Sequence, residues 1–78
     1  MEIRITGHAR ERMRRYDITA SMIENALNDP DAVVSSYGGR KIYQKKLNDH
    51  VLRVITEEHK NIKTVITTYK ARSVRYEI

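Results

Sequence analysis

The chain has no cysteine, one proline, three glycines and no phenylalanine or tryptophan among its 78 residues. Without cysteine there is no disulfide framework, no thiol nucleophile and no thiolate-ligated zinc. The scarcity of proline and glycine, with no low-complexity stretch or internal repeat, leaves no linker and argues for a single domain over residues 1–78. No apolar stretch is long enough for a signal-peptide core or a membrane span, so no membrane attachment is expected and the composition fits a cytoplasmic protein. A chain this short buries only about 60% of its unfolded surface, so its core is thin and a large substrate pocket is not expected.

What is present is positive charge. Fifteen Lys and Arg against ten Asp and Glu give +5, and the distribution is uneven. Residues 1–16 carry five basic and two acidic side chains, residues 17–36 none and four, and residues 37–78 ten and four. The basic surface therefore comes from both ends of the chain, which points to nucleic acid or an acidic protein as partner.

Ile3 and Ile5 flank Arg4 in an alternating run that predicts a first strand ending at Thr6-Gly7. A helix follows from His8 to Tyr16, capped by Thr6 or Gly7, with Ala9, Met13 and Tyr16 on one buried stripe and His8, Arg12 and Arg15 on the neighbouring face. A second helix starts at the N-cap Thr19. Ile18 and Ile23 are placed as a hydrophobic staple, Met22, Ile23, Ala26 and Leu27 form its apolar face, and Asn28-Asp29-Pro30 ends it. Beyond this point β-branched residues dominate. Val33–Tyr37 reads as a strand, Gly38-Gly39 as a tight hairpin and Arg40–Leu47 as its return. Asn48-Asp49-His50 is a turn, Val51–Glu57 a strand, Glu58–Asn61 a turn and Ile62–Tyr69 a further strand. Residues 70–78 read equally as a short strand or a tail. The order β-α-α-β-β-β-β predicts an α+β fold, two helices packed on one face of a curved, mostly antiparallel sheet.

His8, His50 and His59 have neither HxH nor HExxH spacing, so no metal and no cofactor is expected. Glu57-Glu58 and the aspartates around Pro30 do not form a catalytic carboxylate pair. The remaining polar set is basic and aromatic: His8 at a helix start, Arg12 and Arg15, Lys45 and Lys46, Arg53 within an apolar strand, and the strand tyrosines Tyr43 and Tyr69. Arg and Lys neutralise phosphates, tyrosine stacks on bases, and histidine moves protons near neutral pH. These residue types suffice to cleave RNA through its own 2′-hydroxyl. Each also has a structural reading: a solvated helix face for the arginines, sheet-edge packing for the tyrosines, edge guards for the lysines. An arginine on a central strand is the hardest to explain structurally, because burying an unpaired charge is costly.

The string His8-Ala9-Arg10-Glu11-Arg12-Met13, then Ile18, Asn28-Asp29-Pro30, Leu52-Arg53-Val54, Ile66-Thr67-Thr68-Tyr69-Lys70 and Val74-Arg75-Tyr76 resembles the domain-of-unknown-function family numbered 4258. That family is grouped with the fold of barnase, EndoU, colicin and RelE-type nucleases. The resemblance implies a RelE-like, barnase-like fold and a toxin-like, metal-independent endoribonuclease acting on RNA. It implies His8 as general acid or base, Arg12 and Arg53 as phosphate clamps, and Tyr69 as proton donor or base stacker. Arg15, Tyr43, Lys46, Thr68 and Lys70 are the candidate RNA contacts. An acidic antitoxin or immunity protein and the ribosome are the further partners it implies. The alternative reading is a non-enzymatic basic module that holds nucleic acid or an acidic protein.

Overall fold

The computed structural model describes residues 2–72. Its elements are β1 (Glu2–Ile5), α1 (Gly7–Arg15), α2 (Ala20–Asn28), β2 (Ala32–Ser35), a single 3₁₀ turn (Tyr37–Gly39), β3 (Arg40–Leu47), β4 (His50–His59) and β5 (Ile62–Arg72). The five strands form one sheet in the order β1-β5-β4-β3-β2. β1 runs parallel to β5, and the other pairs are antiparallel. This is the expected α+β arrangement, two helices on a mostly antiparallel sheet.

Local chemistry sets the helix ends. The Thr6 side chain accepts from Ala9 N at 3.1 Å, satisfying one of the free donors at the start of α1. At α2 the Thr19 hydroxyl accepts from Met22 N, while the Met22 sulfur accepts from Thr19 N. Ile18 and Ile23 both join the core, as the staple requires. Between the helices Asp17 takes the left-handed conformation, φ 54°. α1 begins and ends one residue earlier than the periodicity predicts, at Gly7 and Arg15.

The turns depart further from expectation. Gly38-Gly39 does not form a two-residue hairpin. Tyr37–Gly39 make a 3₁₀ turn in which both glycines have positive φ, 67° and 74°, closed by Ser36 N donating to Arg40 O at 2.8 Å. The pairing of His59 with Ile62 contracts the expected Glu58–Asn61 turn to Lys60-Asn61, with Lys60 at φ 56°. His50 likewise belongs to β4 rather than to its turn. β5 runs past Tyr69 to Arg72; the motif residues Val74, Arg75 and Tyr76 lie outside the described residues.

One irregularity organises the sheet. Ile55 pairs with Thr67 but Thr56 pairs with Val65, so Ile66 is an extra residue in β5 and forms a bulge. Thr6 N donates to Val65 O at 3.1 Å, and Thr6 Oγ1 donates to Ile66 O at 3.0 Å. The same hydroxyl that caps α1 thus fastens the helix to the bulge.

Strand alternation then divides the residues between faces. Leu52, Val54 and Val65, all fully buried, meet Ala9, Ile23, Ala26 and Leu27 in the core. α1 packs over β5, and α2 over β4 and β3. Val51, Arg53 and Ile55 alternate to the opposite face, and Val51 is buried without joining the main core cluster.

Candidate nucleic-acid interface

Register places one polar row across the face away from the helices. Gln44 of β3 pairs with Arg53 of β4, and Arg53 pairs with Tyr69 of β5. Arg53 Nη1 donates to the Tyr69 hydroxyl at 2.6 Å, and the guanidinium carbon lies 5.7 Å from the Tyr69 ring centroid. From the core side, Thr68 Oγ1 donates to Arg53 O at 2.8 Å and pins the backbone beneath the guanidinium. Both side chains are half-buried. An arginine already bonded to a phenol hydroxyl offers an oxyanion a charged fork and a proton donor at one place.

Gln44 completes the row. It is 6% exposed, and its Oε1 has no hydrogen-bond partner among the described residues, although buried polar atoms are ordinarily satisfied. Its only sequence signal is a polar residue in the middle of a strand, and its adjacency to Arg53 depends on a strand register that periodicity does not supply. Lys46, two residues along β3, shares this face and is exposed, while its backbone N donates to Asp31 Oδ2 at 2.7 Å.

The other candidates lie elsewhere. Tyr43 alternates to the helix side, is 7% exposed, and donates its hydroxyl to Glu58 Oε2 at 2.9 Å, with Lys63 Nζ 4.5 Å from its ring centroid. Its ring is core and is not presented for base stacking. Thr68 is fully buried and supports Arg53 from beneath, so it too is no surface contact. Lys70 lies on the helix side and reaches the Asp17 carbonyl at 3.5 Å, where it steadies the junction of the helices.

His8, Arg12 and Arg15 do stand together, on one flank of α1; His8 and Arg15 are exposed and Arg12 is half-buried. The other flank, with Arg10 and Arg14, borders a cleft of about 420 Å³ shared with Ile18 and Thr19. Because α2 lies over β4 and β3, the His8 flank turns toward the β1 edge of the sheet. The four residues assigned to catalysis by resemblance are therefore split. Arg53 and Tyr69 form one pair on the far face, and His8 and Arg12 form another beside β1 on the helix side. Alternation is the physical reason: Arg53 lies between the core residues Leu52 and Val54, so its side chain leaves the sheet away from the helices.

Among the described residues no three His, Asp or Glu side chains lie close enough to hold a metal ion, and no helix is long and apolar enough to cross a membrane. No curated protein and no solved structure matches the chain. The sequence profile of the family described as "Domain of unknown function (DUF4258)" matches residues 5–70. That span holds both helices, the Arg53–Tyr69 pair and the bulge that ties them to one sheet: the chain belongs to the DUF4258 family.

Proposed function

We propose that the protein is a small toxin-like endoribonuclease whose reacting groups are Arg53 and Tyr69. The observation that carries this reading is the 2.6 Å hydrogen bond from Arg53 to the Tyr69 hydroxyl on the sheet face away from the helices. In the reaction the RNA 2′-hydroxyl oxygen bonds to the adjacent phosphorus as the P–O5′ bond breaks. The 2′-hydroxyl proton passes to water, and the Tyr69 hydroxyl protonates the departing 5′-oxygen before recovering a proton from solvent. Arg53 balances the charge that builds on the non-bridging oxygens. The products are a 2′,3′-cyclic phosphate and a 5′-hydroxyl. Lys46 extends the cationic surface along the strand. His8, Arg12 and Arg15 serve here as a separate phosphate-holding stripe beside β1, not as the acid–base group. An acidic antitoxin or the ribosome would be met by the same basic surfaces.

The separation of His8 and Arg12 from Arg53 favours a second reading, in which two basic surfaces hold RNA without cutting it. Incubation of the protein with mixed RNA in chelator separates the two. The first reading expects cyclic-phosphate ends, a loss of about 100-fold for Tyr69→Phe and a comparable loss for Arg53→Ala, with His8→Ala still cleaving. Folding of each variant is checked by circular dichroism. Uncut RNA retained with a steep salt dependence selects the binding module. Loss of cleavage in His8→Ala with retention in Arg53→Ala overturns the proposed site.

A further inference from the structure

The cleft between the helices lies apart from the Arg53–Tyr69 face. It has a volume of about 420 Å³ and is lined by Arg10, Met13, Arg14, Asp17, Ile18 and Thr19. Arg10, Met13, Arg14 and Asp17 recur at i, i+3, i+4 and i+7, so one stripe of α1, continued by the residue just past it, makes a wall. Ile18, 4% exposed, and the partly buried Met13 give the cleft an apolar base.

Arg4, Arg40, Lys41 and Lys45 each pair with a carboxylate. By contrast, no ion pair or side-chain hydrogen bond among the described residues engages the Arg10 or Arg14 guanidinium or the Asp17 carboxylate. Two unneutralised cations four residues apart on a helix repel each other. Asp17 is the more telling residue. Ile18 N donates to Met13 O at 2.8 Å and Asp17 N to Arg14 O at 3.4 Å, the paired bonds of a Schellman ending. Asp17 fills its left-handed position at φ 54°, where glycine is the unstrained choice, and it sets a carboxylate at the negative end of α1. Local stability argues against an aspartate on both counts, and residues held at such a cost gather at binding sites.

We infer that this cleft binds a guanosine nucleotide through its 5′-phosphate and the pairing edge of its base. Arg10 and Arg14 hold the phosphate, Asp17 accepts from guanine N1–H and N2–H, and the base packs on Met13 and Ile18. The order of the charges selects the occupant. Arg10 and Asp17 stand seven positions apart, roughly 10 Å along a helix at 1.5 Å per residue, which is about the length of a nucleoside monophosphate. An acidic peptide would meet Asp17 as a like charge, and phosphate alone would leave the carboxylate and the apolar base of the cleft unused. Among the bases, guanine presents two adjacent N–H donors to the two oxygens of a carboxylate. Adenine and cytosine set a ring acceptor beside the amino group, and uracil flanks one N–H with two carbonyls. The inference does not depend on cleavage at Arg53 and Tyr69.

Titration of the isotope-labelled full chain, followed by amide shifts in NMR, tests this. Guanosine 5′-monophosphate should bind with a Kd of about 1 mM or tighter and move the amides of residues 14–19 more than that of Tyr69. Adenosine 5′-monophosphate, and guanosine without its phosphate, should each bind about tenfold more weakly. Arg14→Gln should weaken guanosine 5′-monophosphate about tenfold and leave guanosine unchanged. Asp17→Gly should erase the preference for guanine over adenine while raising the melting temperature by about 4 °C, whereas loss of a purely structural aspartate would lower it. A short 2′-O-methyl uridine strand carrying one guanosine identifies the source. Binding tighter than that of the mononucleotide assigns the cleft to RNA and weaker binding to free nucleotide, and either upholds the site. The inference is overturned by no saturation up to about 10 mM guanosine 5′-monophosphate, by equal affinity for the two purine nucleotides, or by tighter binding of polyglutamate in the cleft. An Asp17→Gly variant that keeps the guanine preference or melts below the wild type overturns it equally.

Discussion

The Thr6 hydroxyl links the helical layer to the sheet, and its removal has a calculable cost. It accepts from Ala9 N as the cap of α1 and donates to the Ile66 carbonyl at the bulge. Thr6→Val keeps the branched shape and deletes both bonds. Loss of an N-cap costs about 1 kcal/mol, and leaving a partly buried carbonyl without its donor costs about 1 more. A chain of this length has roughly 4–12 kcal/mol in total, so about 2 kcal/mol is a large share. The melting temperature should fall by roughly 8–16 °C. Urea unfolding should show the midpoint lowered with the slope unchanged. Thr6→Ser retains the hydroxyl and should lose less than about 0.5 kcal/mol. If Thr6→Val melts with the wild type, or Thr6→Ser falls as far as Thr6→Val, the double role of this hydroxyl is refuted.

Three further outcomes follow from the packing. Leu52→Ala empties a fully buried site on β4, the strand beneath α2, and should cost about 3–5 kcal/mol in denaturant titration; a cost below about 1 kcal/mol would mean that this part of the core is loose. Tyr43→Phe removes only the bond to Glu58 and should leave RNA retention at the wild-type level in a filter-binding assay, whereas lost retention would return Tyr43 to the interface. The hydrogen bond from His50 holds the Asp49 carboxyl below its ordinary value, helped by a backbone hydrogen bond and the nearby histidine charge. A depressed carboxyl stabilises the fold above its unfolded value and loses that contribution as pH falls through the folded one. The melting difference between wild type and Asp49→Asn should therefore be present near pH 5 and close below about pH 4; a gap that widens as pH falls from about 5 would contradict the assignment.

The layer architecture was legible because local signals agreed. Thr6 and Thr19 caps, the Ile18–Ile23 staple, the Ala9–Met13–Tyr16 stripe and the β-branched meander are properties of short segments, and they fix the element order. Turn conformation was less legible. The glycine pair marked the position of a turn, but whether it closes as two residues or as a 3₁₀ turn depends on the register of the flanking strands. β5 outran its expected end because Lys70 and Arg72 find partners in Leu52 and His50 of β4, a long-range pairing that no local pattern announces. The parallel placement of β1 beside β5 is of the same kind.

The candidate site was legible residue by residue but not as an arrangement. An arginine between Leu52 and Val54 marks Arg53 as unusual, yet a sequence does not tell which face of the sheet receives the helices. Once Ala9 and Ile23 are seen to meet Leu52 and Val54, parity sends Arg53 to the far side and brings Gln44 and Tyr69 to it. The same parity takes Tyr43, Thr68 and Lys70 to the helix side. The bulge at Ile66 makes this possible, because the extra residue resets the alternation of β5 between Val65 and Thr68. Both are fully buried on the helix side, although an odd spacing would place them on opposite faces of a regular strand. In a regular ladder with every residue from 65 to 69 paired, anchoring Val65 in the core would turn Thr68 outward and drive Tyr69 under the helices. The bulge that fastens α1 through Thr6 is therefore also where the extra residue is absorbed, which keeps a tyrosine within 2.6 Å of Arg53. Deleting Ile66 should remove the bulge that Thr6 grips while leaving Thr67, Thr68 and Tyr69 opposite Ile55, Val54 and Arg53, and substitutions at Thr6 should likewise weaken the helix tie and leave the Arg53–Tyr69 pair in place.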